Sequence, residues 1–318
     1  MRIGTSGWSY PSGRGTWNGL FYPPRGSRGF RAADELLYYA EHFDTVEVNS
    51  TFYHAPVAAT TARWAARTPP GFEFSVKLHQ KFSHTMPVSH GAAGPAAGPV
   101  SPGPSTLPQP TPGDADEMRA GLDPLAASGK LGALLVQFPP AFHHDHASED
   151  YLARLLATFR EYPVAVELRH RSWSDAAAST LALLDRFQAA WVQIDEPKFR
   201  FSIRQDLVPN VDRFYYMRFH GRNAAQWWSP EEAEDRYNYL YSTEELRPFA
   251  EVVTAVRPHV KKLYLYLNNH FAAKAVVNAA ILRHQLGLSL PGEYRPEFLA
   301  AYPELREIVS ATTRGLLD

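Results

Sequence analysis

The 318-residue sequence contains no cysteine. That removes disulfides, thiolate metal sites and a cysteine nucleophile together. No stretch approaches the ~18 apolar residues of a membrane-spanning helix. The opening MRIGTSGW has neither the basic region nor the apolar core of a secretion signal. Charge is nearly balanced, with 32 Lys and Arg against 33 Asp and Glu. Binding to nucleic acid or to an anionic membrane would therefore need a local patch, because there is no overall basic field. No G-x-G-x-x-G turn follows the first strand-like run, which disfavours a doubly wound dinucleotide fold. What remains is a soluble globular protein, expected in the cytoplasm, whose 45% hydrophobic content can fill a large core.

Short apolar runs recur along the chain, at 2–7, 44–50, 72–77, 132–138, 164–169, 191–195, 214–220 and 263–269. Helical patterns lie between most of them, at 32–43, 58–68, 148–162, 174–187 and 243–256, and a last one follows at 272–287. Strands alternating with helices predict a parallel sheet with crossover helices. Eight strand units predict an α/β fold of one particular kind, a single (β/α)8 TIM-type barrel spanning 1–318. Residues 86–114 break the rhythm with eight prolines and five glycines. Such a composition has little to bury, and it predicts a flexible insertion after the third strand, with a lid over the site as the functional alternative.

Side chains two apart on a strand share a face. Counting back from the polar end of each run gathers Glu47 and Asn49, Lys77, Gln137, Glu167 and Arg169, Asp195, Arg218 and His220, and Asn268 with Asn269 beside it. In a barrel of this kind these faces converge at the C-terminal ends of the strands, where such folds carry their sites. Glu167, His220, Lys77, Asp195 and Glu47 are the expected catalytic groups. Arg169, Arg218, Asn49, Gln137, Asn268, Asn269 and Trp8 are the expected substrate contacts. Guanidinium groups match oxyanions with paired donors, so the expected partner is a small anionic or sugar-like molecule handled by acid–base chemistry without a cofactor.

Two alternatives stay open. Glu167, Asp195, His220 and Glu47 could hold a divalent metal for phosphodiester hydrolysis or isomerisation. The site could instead bind a metabolite without turning it over. Nucleic acid is a less favoured partner, with Trp8, Trp17, Arg25, Arg28 and Arg31 as a rim. FHHDH (142–146) has metal-like composition but no partner motif, Phe21 and Tyr22 could line the mouth, and His84 could reach it from the third loop.

The blocks IGTSGWSY, FYPP, YYAEHFDTVEVNSTFY, RWAARTP, FSVK, LLVQFPPAF, VAVELRHRSW, RFHGR and LYLYLNN run in order through nearly the whole chain. Together they resemble the YecE-like family, domain of unknown function 72. The resemblance implies a TIM-barrel-like fold and little about the reaction. It also implies that Glu47, Asn49, Lys77, Gln137, Glu167, Arg169, Asp195, Arg218, His220 and Asn268 are the family's polar strand-end positions. The Pro/Gly-rich insertion departs from the family pattern.

Overall fold

The computed structural model describes residues 1–85, 107–227 and 233–312. Strand and helix alternate through β1 (Arg2–Thr5), α1 (Glu35–His42), β2 (Thr45–Val48), α2 (Ala58–Arg67), β3 (Glu73–Lys77), α3 (Pro112–Ala127), β4 (Leu131–Gln137), α4 (His146–Thr158) and β5 (Val164–Glu167). Next come α5 (Arg171–Asp175), α6 (Ala177–Arg186), β6 (Ala190–Trp191), β7 (Gln193–Asp195), β8 (Tyr215–Phe219), α7 (Thr243–Val256), β9 (Leu263–Leu267), α8 (Lys274–Gln285) and α9 (Pro296–Ala301). All strand pairs are parallel, in a four-stranded sheet ordered β1-β9-β8-β7 and a five-stranded sheet ordered β2-β3-β4-β5-β6.

The sheets approach each other on both sides. Gly7 N–H donates to Glu47 O at 2.7 Å, and Ser6 bridges Glu47. Gly4 permits this approach, since a Cβ there would lie 2.3 Å from Thr45 O. On the other side β6 and β7 are separated only by Val192, whose N–H donates to Val166 O at 2.9 Å. The expected sixth strand therefore exists, but it changes partners at Val192, from β5 before it to β8 after it.

Directly paired residues of a parallel ladder face the same way, so the registers define an inner face. Glu47 pairs with Ser75, Gln137 with Glu167, Tyr216 with Tyr264 and Arg218 with Tyr266. That face is layered by hydrogen bonding, because a buried hydroxyl or carboxylate needs a partner. Near the N-terminal ends, Glu73 accepts from Lys262, Arg2 and the Tyr264 hydroxyl. In the middle, Tyr266 Oη meets Thr45 Oγ1 at 2.6 Å and Ser75 Oγ at 2.9 Å. Toward the C-terminal ends, Glu47 accepts from the Tyr216 hydroxyl at 2.7 Å. The opposite face is aliphatic and aromatic: Val46, Phe74, Val76, Leu134, Val136, Val166, Met217, Phe219 and Leu265 are buried.

Helix α3 was absent from the expected elements. Residues 86–106 of the expected insertion lie outside the described residues, but its last three, Pro112–Asp114, open α3. Proline at the first helical position loses no helical hydrogen bond, so here it starts a helix instead of breaking one. Thr111 Oγ1 accepts from Asp114 N–H at 3.2 Å, and Asp114 Oδ2 accepts from Thr111 N–H at 2.8 Å, a reciprocal cap. Thr111→Ala is expected to cost about 1 kcal/mol in urea unfolding, from loss of that cap. An unchanged midpoint would show that packing alone holds the helix start.

Candidate active site

The polar inner face ends in a cavity of about 410 Å³ at the C-terminal ends of the strands. Lys77, Gln137, Arg169 and Arg218 reach it from strands or the residues just past them, with Asn49 and Asn268 beside them. Tyr10, Phe52, Tyr53, Trp227, Tyr237 and His270 supply aromatic walls, and His84, Arg236, Pro139 and Pro140 complete the lining. Among the described residues no aspartate or glutamate lines this cavity.

The carboxylates lie behind the cations. Arg218 Nη2 donates to Glu47 Oε1 at 2.7 Å and Nη1 to Glu167 Oε2 at 2.5 Å, all three side chains being fully buried or nearly so. Its Nε is buried without a hydrogen-bond partner. Glu167 Oε1 accepts from Arg169 Nε at 2.7 Å, and Arg169 Nη1 lies 3.5 Å from Glu196 Oε2. His220 Nε2 stands 3.1 Å from Arg169 Nη2 and 3.3 Å from Glu167 Oε1, and its Nδ1 is 3.0 Å from Asn268 Nδ2. Lys77 Nζ donates to Gln137 Oε1 at 2.7 Å and sits 4.1 Å from the centre of the Phe52 ring.

These surroundings set the protonation states. Burial pushes Glu167 upward, but Arg218, Arg169 and His220 together hold it well below the usual carboxylate range. Burial lowers His220 to about 3, so it is neutral at pH 7. Lys77 is lowered to about 7, first by burial and then by Arg218 and Arg169, against the pull of Glu167 and Glu47. Burial raises Glu196. His84 is lowered to about 4 by burial, with Lys77 and Arg169 adding to it.

Not all the expected residues converge here. Asp195 pairs in register with Phe219 on the helix-facing side, while Ile194 pairs with Arg218. Its carboxylate accordingly binds Arg222 at 2.9 and 3.0 Å and the Tyr241 hydroxyl at 2.7 Å, away from the cavity. The expectation placed the sixth strand in the wrong phase, and a one-residue slip turns every side chain to the other face. The inward carboxylate of that strand end is Glu196, which the sequence reading passed over. Asn269 points away from Asn268 and donates to Tyr239 O at 2.8 Å and Asn278 Oδ1 at 2.7 Å. Trp8 packs edge-on against Trp64 and Phe74, and does not line the cavity. Trp17, Phe21 and Tyr22 are buried in the core.

The expected metal set of Glu167, Asp195, His220 and Glu47 is likewise dispersed. Asp195 faces elsewhere, and the Arg218 guanidinium stands between Glu47 and Glu167. Among the described residues no group of three or more His, Asp or Glu is arranged to hold a metal. Within 142–146, His144 binds Glu149 at 2.7 Å and His143 stacks on His170. Arg25 pairs with Glu35 at 2.7 Å, and the exposed Arg31 lies 3.5 Å from Asp34. His84 does reach the cavity. The walls from Trp227, Arg236, Tyr237 and His270 come from connections after β8 and β9 that carry no periodic signal in the sequence.

Fold and site together define a mixed α/β protein with parallel sheets and a cationic cavity at the C-terminal strand ends. Residues 2–298 match the family model described as "Protein of unknown function DUF72", and the chain belongs to that family. It is 27% identical over 306 residues to the UPF0759 protein YunF of Bacillus subtilis (strain 168), covering 91% of this chain and 96% of that protein. It is similar in structure to a DUF72 family protein from Thermotoga maritima MSB8, with TM-score 0.72 and 29% identity over 90% of this chain and 98% of that one. A DUF72 family protein from Enterococcus faecalis V583 gives TM-score 0.74 at 25% identity over 92% and 98%. Among the described residues no helix is long and apolar enough to cross a membrane.

Proposed function

We propose that the two sheets close into a single (β/α)8 barrel whose mouth is the catalytic cavity of an enzyme acting on a small anionic substrate. The hydrogen bonds of Gly7 and Val192 across the two seams support the closed ring, with β6 and β7 as one strand. The observation that carries the functional reading is the composition of the cavity wall: Lys77, Arg169, Arg218 and Arg236 line it, and among the described residues no carboxylate does.

A site walled this way favours phosphate or carboxylate over a neutral sugar. Arg169 offers donors to the anion, with Asn49, Gln137 and Asn268 around it, and Arg218 adds its positive charge to the wall. Glu47, Glu167 and Glu196 act one layer back, holding the guanidinium groups in place while neutralising their burial. His220, neutral and wedged between Arg169 and Asn268, has the same positioning role. Direct glycoside hydrolysis by Glu47 and Glu167 is disfavoured, because both carboxylates would have to reach the sugar and both lie behind Arg218. Lys77, poised near neutrality, is the group suited to accept and return a proton.

Calorimetric titration with inorganic phosphate at pH 7 and low salt tests this reading. Binding is expected in the wild type, and Arg169→Ala is expected to weaken it by roughly tenfold or more, the loss of a charged hydrogen-bond partner. Arg25→Ala, outside the cavity lining and paired with Glu35, should leave it unchanged. Equal binding by wild type and Arg169→Ala, or no binding at millimolar phosphate, would sink the anion site.

A further inference from the structure

Among the lysines of the described residues Lys77 is the one that lines the cavity. Lys274 shares part of its environment, donating to the amide oxygen of Asn238 beside the Phe271 ring. Lys81, Lys261 and Lys262 pair with Asp114, Asp212 and Glu73, and Lys130 donates to the carbonyls of Ala65 and Thr68. Among the described residues Lys77 forms no ion pair, and its Nζ meets a neutral amide acceptor, with an aromatic face on another side. It opens into the cavity that Arg169 and Arg218 also line. Lysine placed to bind an anion as a point charge gains nothing from such desolvation. An amine placed to share its lone pair does, because protonation blocks attack.

We infer that Lys77 is a covalent amine, which condenses with an aldehyde or ketone carrying a phosphate or carboxylate whose charge lodges against Arg169 and Arg218. This rests on the anion-site reading and adds the substrate's carbonyl. The Nζ lone pair forms the C–N bond while the carbonyl π pair moves to oxygen, which takes one amine proton. The resulting carbinolamine loses that hydroxyl together with the second amine proton as water, leaving an imine. A proton from solvent makes it an iminium, which acidifies a neighbouring C–H bond: the proton passes to solvent water and its bonding pair forms the C=C bond of an enamine as the C=N pair returns to nitrogen. The charges that face Lys77 suit this sequence. Arg218 and Arg169 oppose its protonation, Glu167 and Glu47 favour it from behind the guanidiniums, and burial decides the balance toward a neutral amine near pH 7.

The test is reductive trapping on the intact chain. Wild-type protein is incubated at pH 7.5 with cyanoborohydride and glyceraldehyde 3-phosphate, or unphosphorylated glyceraldehyde, or pyruvate, and modified lysines are mapped by peptide mass. Lys77 is expected to label at least about tenfold faster than exposed Lys81, since a lysine with a depressed pKa is far more neutral at this pH. Labelling should favour an anionic probe over glyceraldehyde, fall on adding inorganic phosphate, and vanish from the site in Lys77→Arg. Phosphate-bearing and carboxylate-bearing probes separate the two substrate types. Labelling spread evenly over surface lysines would overturn the proposal. If phosphate still bound calorimetrically, the anion site would stand and only the covalent step would fall; if it did not bind, both would fall.

Discussion

Arg218→Leu is expected to destabilise the protein by about 3–5 kcal/mol at pH 7, the cost of stripping the partner from buried charges. Arg218 joins β8 to β2 and β5 by holding Glu47 and Glu167 at 2.7 and 2.5 Å, and all three side chains are shielded from water. Leucine fills much of the space but leaves two carboxylates facing apolar surface. The pH dependence follows from linkage. In the wild type Glu167 has a folded pKa well below its ordinary 4.5, so its stabilising contribution is full above about pH 4.5 and is lost as pH falls through the lowered value. Without Arg218 the main opposing cation is gone and burial raises the carboxyl. The variant's deficit should then shrink as pH falls from 7 to 5, because protonation relieves the buried charge. Urea unfolding of both proteins at the two pH values measures it. A deficit under about 1 kcal/mol, or one that grows on acidification, would show that the cluster is not held together by these pairs.

The second large effect has the opposite sign. Lys77→Met is expected to stabilise the protein by about 1–3 kcal/mol at pH 6, less than the full shift would yield because Lys77 is only partly buried beside the cavity. Its pKa falls from 10.5 in the unfolded chain to about 7 when folded. Between those values the unfolded state binds the extra proton, so wild-type stability rises with pH across the window. Methionine never carries that penalty. Its advantage should be largest below pH 7 and fade as pH approaches 10. Thermal or urea unfolding from pH 6 to pH 10 reads this directly. A destabilised variant at pH 6, or a gain independent of pH, would mean that Lys77 is charged and well solvated in the fold. Stabilisation on removing a polar group is the signature of a residue kept for chemistry.

The strand and helix alternation was legible because parallel strands buried on both sides read as apolar runs and their helices as periodic ones. The inner polar set was legible wherever the pleat phase was anchored by several polar residues, as with Glu47 and Asn49 or Arg218 and His220. In the sixth strand the sequence offers QIDE, with three polar residues on both phases. Only the register against β8, Ile194 opposite Arg218, selects Glu196 over Asp195. Helix α3 was hidden because Pro112, Gly113, Gly121 and Pro124 are helix breakers by local propensity. Gly121 is required by contact, since a Cβ there would lie 2.0 Å from Pro56 O.

By itself, then, the sequence determined the parallel α/β layout and the presence of a polar cluster at the strand ends, since burial pattern and residue period are local properties. Which of those groups line the cavity was decided by the tertiary structure alone. The separation of wall from support depends on distances between strands far apart in the chain: Arg218 stands 171 residues from the Glu47 that it pairs with and 51 from Glu167. Opposite charges attract across that gap until the acids are covered by their own partners. The cavity is left to Lys77, Arg169 and Arg218, a sorting that no local pattern encodes.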